Sequence, residues 1–306
     1  MVFQLPLRGP SGEPVDLWRT IVSHGVASLP PADVDEDARV MTVTVRLPRG
    51  RPRTIRIREG RAGAAARVEV LGPKPSASAD EAIRLALRRM LNLDEDLGPL
   101  YAVAADDPDL AWITTGAGRM FRSPTVFEDV VKTICTTNCT WSATTRMVHA
   151  IVEHLGERAA GADPHGPWGR AFPTPLAMAE AGESFYKDVA RAGYRGAYLL
   201  QLARSVAGGE LDLEAFATAS TEDLPDEELE ERLLALPGVG PYAAAHIMMT
   251  IGRYHRLILD SWTRPTYAKK VRRAKVSDAA IERRFRRYGP YAGLAFWLYL
   301  TRDWVD

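Results

Sequence analysis

The hydrophobic period of the chain changes once, near residue 72, and this change constrains the fold more than any other feature. Three earlier segments alternate apolar and polar residues as strands do: 41–47, 54–58 and 67–71. A stretch rich in Gly, Pro and Ser, 72–78, then leads into segments with the spacing of amphipathic helices. Strands followed by many helices indicate an α+β protein. We therefore predict an N-terminal antiparallel β-sheet domain over 1–78 and an all-helical domain over 79–306.

The helical part contains one clear start signal and one hairpin. Serine before proline is typical of a helix N-terminus, so a helix is expected to open at Ser123-Pro124 and to turn Val130 and Ile134 inward. Near the other end of the chain, two apolar segments flank a glycine turn and predict a helical hairpin over 228–251.

Composition sets limits on the class of protein. The 306 residues are 46% hydrophobic, which is enough for a core, yet no uncharged apolar stretch of about 18 residues predicts a membrane span. The N-terminus lacks the basic start and apolar core of a signal peptide. Two cysteines, Cys135 and Cys139, indicate a reducing cytoplasm and are too few for a four-thiolate iron–sulfur cluster. No spacing of histidines or carboxylates predicts a metal held by side chains.

Charge is balanced in total and uneven in distribution. The chain has 39 basic and 39 acidic residues. Between residues 264 and 287, however, ten Lys or Arg face only Asp278 and Glu282. Such a segment is compatible with one nucleic-acid-binding face, and equally with solvated helix surface.

The turn of the hairpin is Leu236-Pro237-Gly238-Val239-Gly240-Pro241. Glycine permits positive φ and leaves backbone N–H groups uncovered. The second helix should begin near Pro241, so its unpaired N–H groups and positive dipole end would face the turn. This arrangement suits a phosphate of a nucleic-acid backbone, although a helix connection that merely needs glycine gives the same pattern.

Asp260 ends an apolar run, 257–259, and would lie at the rim of a core. An aspartate at this point can act as a catalytic carboxylate or as a plain helix N-cap, which is the commoner use.

The segment 236–260 resembles the signature of the helix-hairpin-helix (HhH-GPD) DNA glycosylase superfamily. In that family the hairpin grips DNA phosphate, and an aspartate follows 18 positions after the residue that corresponds to Tyr242, as Asp260 does here. Four other segments resemble the 8-oxoguanine and 3-methyladenine branches in the same order along the chain: 91–101, 135–138, 192–198 and 288–295.

The resemblance implies a partner, double-stranded DNA with damaged bases, and roles for several residues. Asp260 would be catalytic, Asn138 would plug the gap left by an everted base, and Tyr194 would wedge the duplex. Alternatives are a helix cap for Asn138 and a half-buried core aromatic for Tyr194. The DNA backbone would be held by Leu236, Gly238, Val239 and Gly240. No cofactor is expected beyond a monovalent cation on the hairpin backbone, and the protein should be a cytoplasmic, nucleoid-associated monomer.

Departures from the family pattern narrow the expected chemistry. Bifunctional members carry a lysine where this chain has Tyr242, so we expect a monofunctional enzyme. The arginine that reads the opposite cytosine is replaced by Ala143. The base pocket is predicted to be lined by Tyr242, His246, Phe296 and Trp297, with core packing as an equal alternative for each of these side chains. Aromatic faces attract cationic rings, which favours alkylated purines. An oxidised or deaminated base, and an inactive lesion-binding protein, remain the alternatives.

Overall fold

The computed structural model describes residues 1–60, 64–160 and 168–304. Five strands in these ranges form an antiparallel sheet, with the strands side by side in the order β1-β5-β4-β3-β2. The strands are β1 (Val2–Pro6), β2 (Ala32–Asp35), β3 (Val40–Val45), β4 (Arg53–Glu59) and β5 (Ala65–Val70).

Helices make up most of the remaining described chain. They are α1 (Leu17–Ile21), α2 (Ala77–Met90), α3 (Gly98–Ala104), α4 (Val126–Thr136), α5 (Trp141–Leu155), α6 (Pro175–Glu180), α7 (Gly182–Ser184), α8 (Arg195–Ala207), α9 (Glu214–Thr218), α10 (Asp226–Leu234), α11 (Pro241–Thr250), α12 (Thr263–Lys270), α13 (Asp278–Phe285) and α14 (Ala292–Thr301). Turns of 3₁₀ helix cover Gly25–Ser28, Ala111–Thr115, Arg286–Tyr291 and Arg302–Trp304, and a π turn covers Phe185–Val189. Across the described ranges, no helix is long and apolar enough to cross a bilayer. The α+β prediction is confirmed.

The sheet contains the three predicted strands, with two further strands at its edges. In the centre, Ile57 of β4 lies between Met41 of β3 and Val68 of β5, and all three are buried. The edge strands β1 and β2 were not predicted, because β1 is short and includes Pro6, and β2 carries two aspartates. Strand residues of this kind are tolerated at edges, where one side of the ladder is open.

The first helix after the linker, α2, packs on the sheet. Its apolar face, Ile83 and Leu87, is fully buried in the same core as Ile55 and Val68. The domain boundary at residue 78 stays a prediction, since the sheet's own core extends into the part of the chain assigned to helices.

Helix α4 begins two residues later than predicted, at Val126. Thr125 is its N-cap, and the Thr125 side chain accepts a hydrogen bond from the Glu128 amide at 3.2 Å. Ser123 lies before the helix, where its amide donates to Asp129 Oδ1 at 2.8 Å. Threonine caps a helix as serine does, so the local pattern alone could not choose between the two starts.

Two helical cores meet at α11. One face of this helix, including Ile247 and Met248, packs into a core built mainly with α4, α5, α8 and α10. Ala245 and Met249 pack into a second core with α3, α13 and α14. Because α11 is covered from both sides, its residues from Ala243 onward are buried, and only its N-terminal end reaches the surface.

The N-terminal segment is tied directly to the helices. Arg119 and Glu13 form a buried ion pair at 2.6 Å. Trp297 of α14 donates its Nε1–H to the Ser23 carbonyl at 2.9 Å. The ion pair ties Glu13 to the segment before α4, and the Trp297 hydrogen bond ties Ser23 to α14.

Candidate active site

The glycine turn between α10 and α11 uses its two glycines differently. Gly238 has a φ of 79°, and an added Cβ would lie 2.8 Å from the Tyr198 ring. Gly240 is the N-cap of α11 with a φ of −102°, and an added Cβ would meet nothing within 4 Å. Gly238 is thus required by backbone conformation and packing, whereas Gly240 leaves open space in front of the helix.

Helix α11 starts without a side-chain cap, and Pro241 occupies its first turn. The first N–H groups of a helix lack intrahelical acceptors and carry the positive end of its dipole. The open space at Gly240 therefore gives an anionic group direct access to the exposed backbone.

A groove of about 790 Å³ runs past this turn. Its lining includes Gly238, Val239 and Gly240 together with Asn138 and Tyr194. The segments predicted to hold the DNA backbone and to fill the duplex gap therefore line one groove. Leu236 differs from its neighbours: its side chain is buried in the helical core, and its carbonyl accepts from the Val239 amide at 3.2 Å.

Asp260 lines the groove, three residues before α12 begins. Its Oδ1 accepts hydrogen bonds from the amides of Trp262 at 2.8 Å and Thr263 at 2.6 Å. Its own amide donates to Thr263 Oγ1 at 2.8 Å. Among the described residues, no hydrogen bond reaches Oδ2. The aspartate is therefore held by the turn that leads into α12 in a cap-like manner, although Trp262 is the N-cap of that helix, and its second oxygen accepts no hydrogen bond from the described residues.

A cavity of about 360 Å³ adjoins the groove. Four residues line both spaces: Thr136, Cys139, Tyr242 and Asp260. The cavity extends inward to His24, Trp141, His246, Trp262, Trp297 and Trp304. A cavity of this size fits one nucleobase or similarly small ligand, and Asp260 lies at the mouth that connects it to the groove.

Aromatic rings form the walls of the cavity. The Trp297 ring centroid lies 5.8 Å from that of Trp262 and 5.7 Å from that of Trp304. The His246 ring adjoins Trp297, with centroids 5.8 Å apart, and it lies 4.5 Å from the Tyr242 ring in an edge-to-face arrangement. Burial raises the pKa of Tyr242, a hydrogen bond with Thr136 opposes this rise, and the carboxylate of Asp260 adds to it. The Tyr242 phenol consequently stays protonated and uncharged near neutral pH.

Two histidines meet inside the cavity. His24 Nε2 and His246 Nδ1 are 2.9 Å apart, and the Val26 amide donates to His24 Nδ1 at 3.4 Å. Burial lowers the pKa of His24 to about 4. Burial, and next the neighbouring His24, hold the pKa of His246 well below its ordinary value. Both rings are therefore neutral at pH 7.

The predicted plug and wedge lie on the surface. Asn138 is exposed and has a φ of 47°, and Tyr194 is 54% exposed. Asn138 Nδ2 is 3.5 Å from the Tyr194 hydroxyl. Beneath them, the guanidinium of Arg195 donates to the Thr137 carbonyl, from Nε at 2.9 Å and also from Nη2. Arg195 thus supports the loop that carries Asn138.

The structure does not bring Phe296 to the cavity. Its side chain is fully buried in the second helical core, with its ring near Phe285 and Tyr267. One residue along a helix rotates the side chain by about 100°, so Trp297 faces the cavity and Phe296 faces the core. The prediction that placed both in the pocket is wrong for Phe296.

Several cavity residues were not predicted from sequence. Trp262 and Trp304 belong to this group, and so does His24, which comes from the N-terminal segment. Trp262 follows Asp260 by two positions and could have been inferred from that spacing. No local signal marks His24, because it reaches the cavity through the packing of residues 13–23 on α14.

The basic segment is partly neutralised by carboxylates. Arg264 pairs with Asp278 at 2.8 Å, and Lys270 pairs with Asp303 at 2.8 Å. Arg284 and Arg287 both contact Asp107. The ten cations of this segment therefore give a weaker positive surface than their number suggests.

Comparison with known proteins identifies the architecture. No sequence-family profile matches the chain, and no curated protein matches it by sequence. Among solved structures, a 3-methyladenine DNA-glycosylase from Archaeoglobus fulgidus superposes with a TM-score of 0.73 at 19% identity, over 99% of this chain and 98% of that one. The chain has the helix-hairpin-helix DNA glycosylase fold.

A second set of similar structures comes from Clostridium acetobutylicum. Its 8-oxoguanine glycosylase/lyase without ligand superposes with a TM-score of 0.72 at 20% identity, over 98% of both chains. The same enzyme in complex with double-stranded DNA containing cytosine opposite 8-oxoguanine gives a TM-score of 0.71 at 19% identity, over 99% of this chain and 98% of that one. The likeness thus spans the full length of each chain, sheet and helices together.

Proposed function

We propose that this chain is a monofunctional DNA glycosylase that removes N-alkylated purines from double-stranded DNA. One observation carries the proposal: Asp260 lies where the groove beside the bare Gly240 backbone opens into an aromatic cavity of nucleobase size. Two solved structures with this fold are named as glycosylases, one for 3-methyladenine and one for 8-oxoguanine, and the second has been seen with double-stranded DNA.

The chemistry follows from that placement. A base that acts as substrate must leave the duplex before any group can reach its sugar. With the base in the cavity, its deoxyribose lies at the mouth, beside Asp260. As the bond from C1′ to the base nitrogen breaks, the sugar becomes an oxocarbenium ion, and a fixed carboxylate stabilises it and orients the attacking water. The hydrogen bonds to Oδ1 hold the group, and Oδ2 is left for this work.

Tyr242 supports the monofunctional part of the proposal. A strand-cleaving enzyme of this fold uses a lysine amine to form a Schiff base with the sugar. A phenol cannot form one, and the described residues that line the cavity and groove include no lysine. The expected product is an intact strand with an abasic site. We expect such an enzyme to act as a monomer on chromosomal DNA in the cytoplasm.

Alkylated purines are favoured over oxidised ones by the cavity walls. Trp262, Trp297 and Tyr242 present ring faces or edges to the cavity, and a positively charged purine is attracted to such faces by their quadrupoles. One observation supports 8-oxoguanine as the alternative substrate: the structural likeness to the clostridial 8-oxoguanine enzyme is equally high.

The test is a panel of duplexes, each with one defined lesion: an N-alkylated purine, 8-oxoguanine, or a deaminated base. Each duplex is incubated with the protein and then cleaved at abasic sites with hot alkali before gel analysis. Alkali-dependent cleavage at the alkylated purine, without cleavage before alkali, is expected. Cleavage only at 8-oxoguanine would replace the proposed substrate. Binding without release of any base would indicate a lesion-binding protein instead of an enzyme.

A further inference from the structure

The hydrogen bonds around His24 define where its protons lie. Its Nδ1 accepts from the Val26 amide, so this nitrogen carries no proton in the neutral ring. The proton is then on Nε2, which donates to His246 Nδ1 at 2.9 Å. His246 is consequently the Nε2–H form. No hydrogen bond from the described residues reaches that Nε2, although the ring lines the cavity.

We propose that the His24–His246 pair selects the base that enters the cavity, by offering one neutral N–H donor and by favouring a purine that already carries a positive charge. This inference rests on the proposed glycosylase function and assigns the pair a specificity role within it. The two residues come from opposite ends of the chain, 222 positions apart.

The pair and the aromatic walls favour the same ligand. The His24 ring centroid lies 5.7 Å from that of Trp297 and 5.0 Å from that of His246. A base in the cavity would therefore contact aromatic rings and the histidine pair together. A cationic histidine here would repel a cationic base. The low pKa of both rings, caused first by burial, keeps the pair uncharged and leaves the attraction of the aromatic faces unopposed.

The leaving group explains why charge on the base would matter. When the glycosidic bond of an N-alkylated purine breaks, its electron pair passes to the ring nitrogen and cancels the ring's charge, so the base departs neutral. Water then adds its oxygen to C1′ and gives its proton to Asp260 or to bulk water. A neutral purine would instead have to receive a proton to depart as a neutral molecule. Both rings of the pair are neutral at pH 7, with one N–H each, and do not supply that proton.

Two matched duplexes test the inference, one with a single N7-methylguanine, which is cationic, and one with a single hypoxanthine, which is neutral. Single-turnover excision rates are measured on both. The wild type is expected to prefer N7-methylguanine. His246→Phe keeps the ring shape and removes the donor, and it should lower the rate on N7-methylguanine about tenfold, the value of one hydrogen bond. His246→Lys adds a positive charge that should repel the cationic base. It should therefore lower the ratio of the rate on N7-methylguanine to the rate on hypoxanthine.

Substitutions at His24 separate its role in positioning from general packing. His24→Gln keeps an amide donor for His246 Nδ1 and should retain the wild-type rates within about twofold, whereas His24→Leu should lower them as His246→Phe does, since each removes one hydrogen bond. Wild-type rates in His246→Phe, or the wild-type ratio in His246→Lys, would overturn the inference.

A measurement on the unmodified protein covers the case of a variant that does not fold. With ¹⁵N-labelled histidine, long-range ¹H–¹⁵N spectra at pH 7 should show both rings neutral and protonated on Nε2. A charged ring, or His246 protonated on Nδ1, would overturn the inference. Release of neither base by the wild type would instead refute the proposed function. Preference for hypoxanthine would leave a glycosylase but remove the role of the pair.

Discussion

Asp260 and Thr263 form a reciprocal, cap-like pair in the turn that leads into α12: the Thr263 amide donates to Asp260 Oδ1 at 2.6 Å, and the Asp260 amide donates to Thr263 Oγ1 at 2.8 Å. Such a pair satisfies donors that a helix start leaves open and fixes the side chains that make it. The same oxygen that serves the helix therefore holds the carboxylate in one orientation at the mouth of the cavity. Structural and catalytic roles of Asp260 can be separated by substitution.

Asp260→Asn should remove catalysis and keep the fold. Asparagine retains an oxygen acceptor for the cap but loses the charge that stabilises an oxocarbenium ion. Base release should fall by about 10²–10³, the typical cost of losing one transition-state contact. Lesion-duplex binding and the thermal midpoint should stay close to wild type. Asp260→Ala is the comparison, since it also loses the cap and should cost about 1 kcal/mol of stability. Wild-type rates in Asp260→Asn would remove the residue from its role.

Gly240→Asp should weaken DNA binding without weakening the protein. The new side chain enters open space, can cap α11, and places a negative charge where a phosphate is expected. Affinity for duplex DNA of any sequence should fall about tenfold or more, with an unchanged or higher thermal midpoint. Gln201→Glu, which makes the same charge change at an exposed position of α8, should bind duplex DNA normally. Normal binding by Gly240→Asp would refute the phosphate site.

Gly238→Ala, unlike Gly240→Asp, should lower the stability of the protein. Its φ of 79° and the Tyr198 ring 2.8 Å from an added Cβ make alanine unfavourable there. A left-handed residue costs about 1–2 kcal/mol, so a lower free energy of unfolding in urea is expected. Unchanged stability would mean that the turn adapts.

Borohydride trapping distinguishes a hydrolase from a lyase. Wild-type protein incubated with a substrate duplex and sodium borohydride should give no covalent complex, because the described residues that line the cavity and groove include no lysine amine. Tyr242→Lys places an amine at the mouth shared by cavity and groove and should give a trapped complex on a denaturing gel. A wild-type adduct would contradict the monofunctional proposal.

Tyr194→Ala and Asn138→Ala test the plug and wedge. Both side chains are exposed, so Tyr194→Ala should alter stability by no more than about 0.5 kcal/mol, whereas Asn138→Ala should cost about 1 kcal/mol because alanine is disfavoured at the φ of 47°. Base eversion costs a few kcal/mol, so loss of either side chain should reduce the fraction of everted base. The change is measured as lower fluorescence of a 2-aminopurine placed beside the lesion. Trp168→Ala, which removes another exposed aromatic side chain, is the control. Unchanged fluorescence in both variants would assign the gap to other residues.

The histidine pair predicts an acid-sensitive fold. The pKa of His24 is about 4 in the folded protein and 6.5 in the unfolded chain, so the unfolded chain binds more protons between these values. The contribution of His24 to the free energy of unfolding should be complete above pH 6.5. It should decline by about 3 kcal/mol as the pH falls to 4. His246 acts in the same direction.

Urea unfolding of wild type and of a His24→Phe, His246→Phe double variant, at pH 7 and pH 4.5, checks this. Burial raises the pKa of Glu128 and Asp129, which stabilises the fold as pH falls, but both proteins share these groups. The difference in unfolding free energy between the two proteins should therefore shrink with acid. A constant difference would contradict the low pKa values.

Much of the fold follows from local pattern. Alternation in β3, β4 and β5 predicted the centre of the sheet, and the glycine turn predicted where α10 ends and α11 begins. The errors are also local in origin. Edge strands β1 and β2 lack strong alternation, and either Ser123 or Thr125 could have capped α4.

By itself, the sequence determined which backbone positions need glycine, which segments are helical, and that an aspartate ends a buried run before α12. These depend on dihedral preferences and side-chain periodicity, which act over a few residues. Tertiary structure alone decided that Trp297 and not Phe296 faces the cavity, and that His24 meets His246 across 222 positions. Such contacts depend on how α14 and the N-terminal segment pack together, and no short-range preference encodes the position of a distant partner.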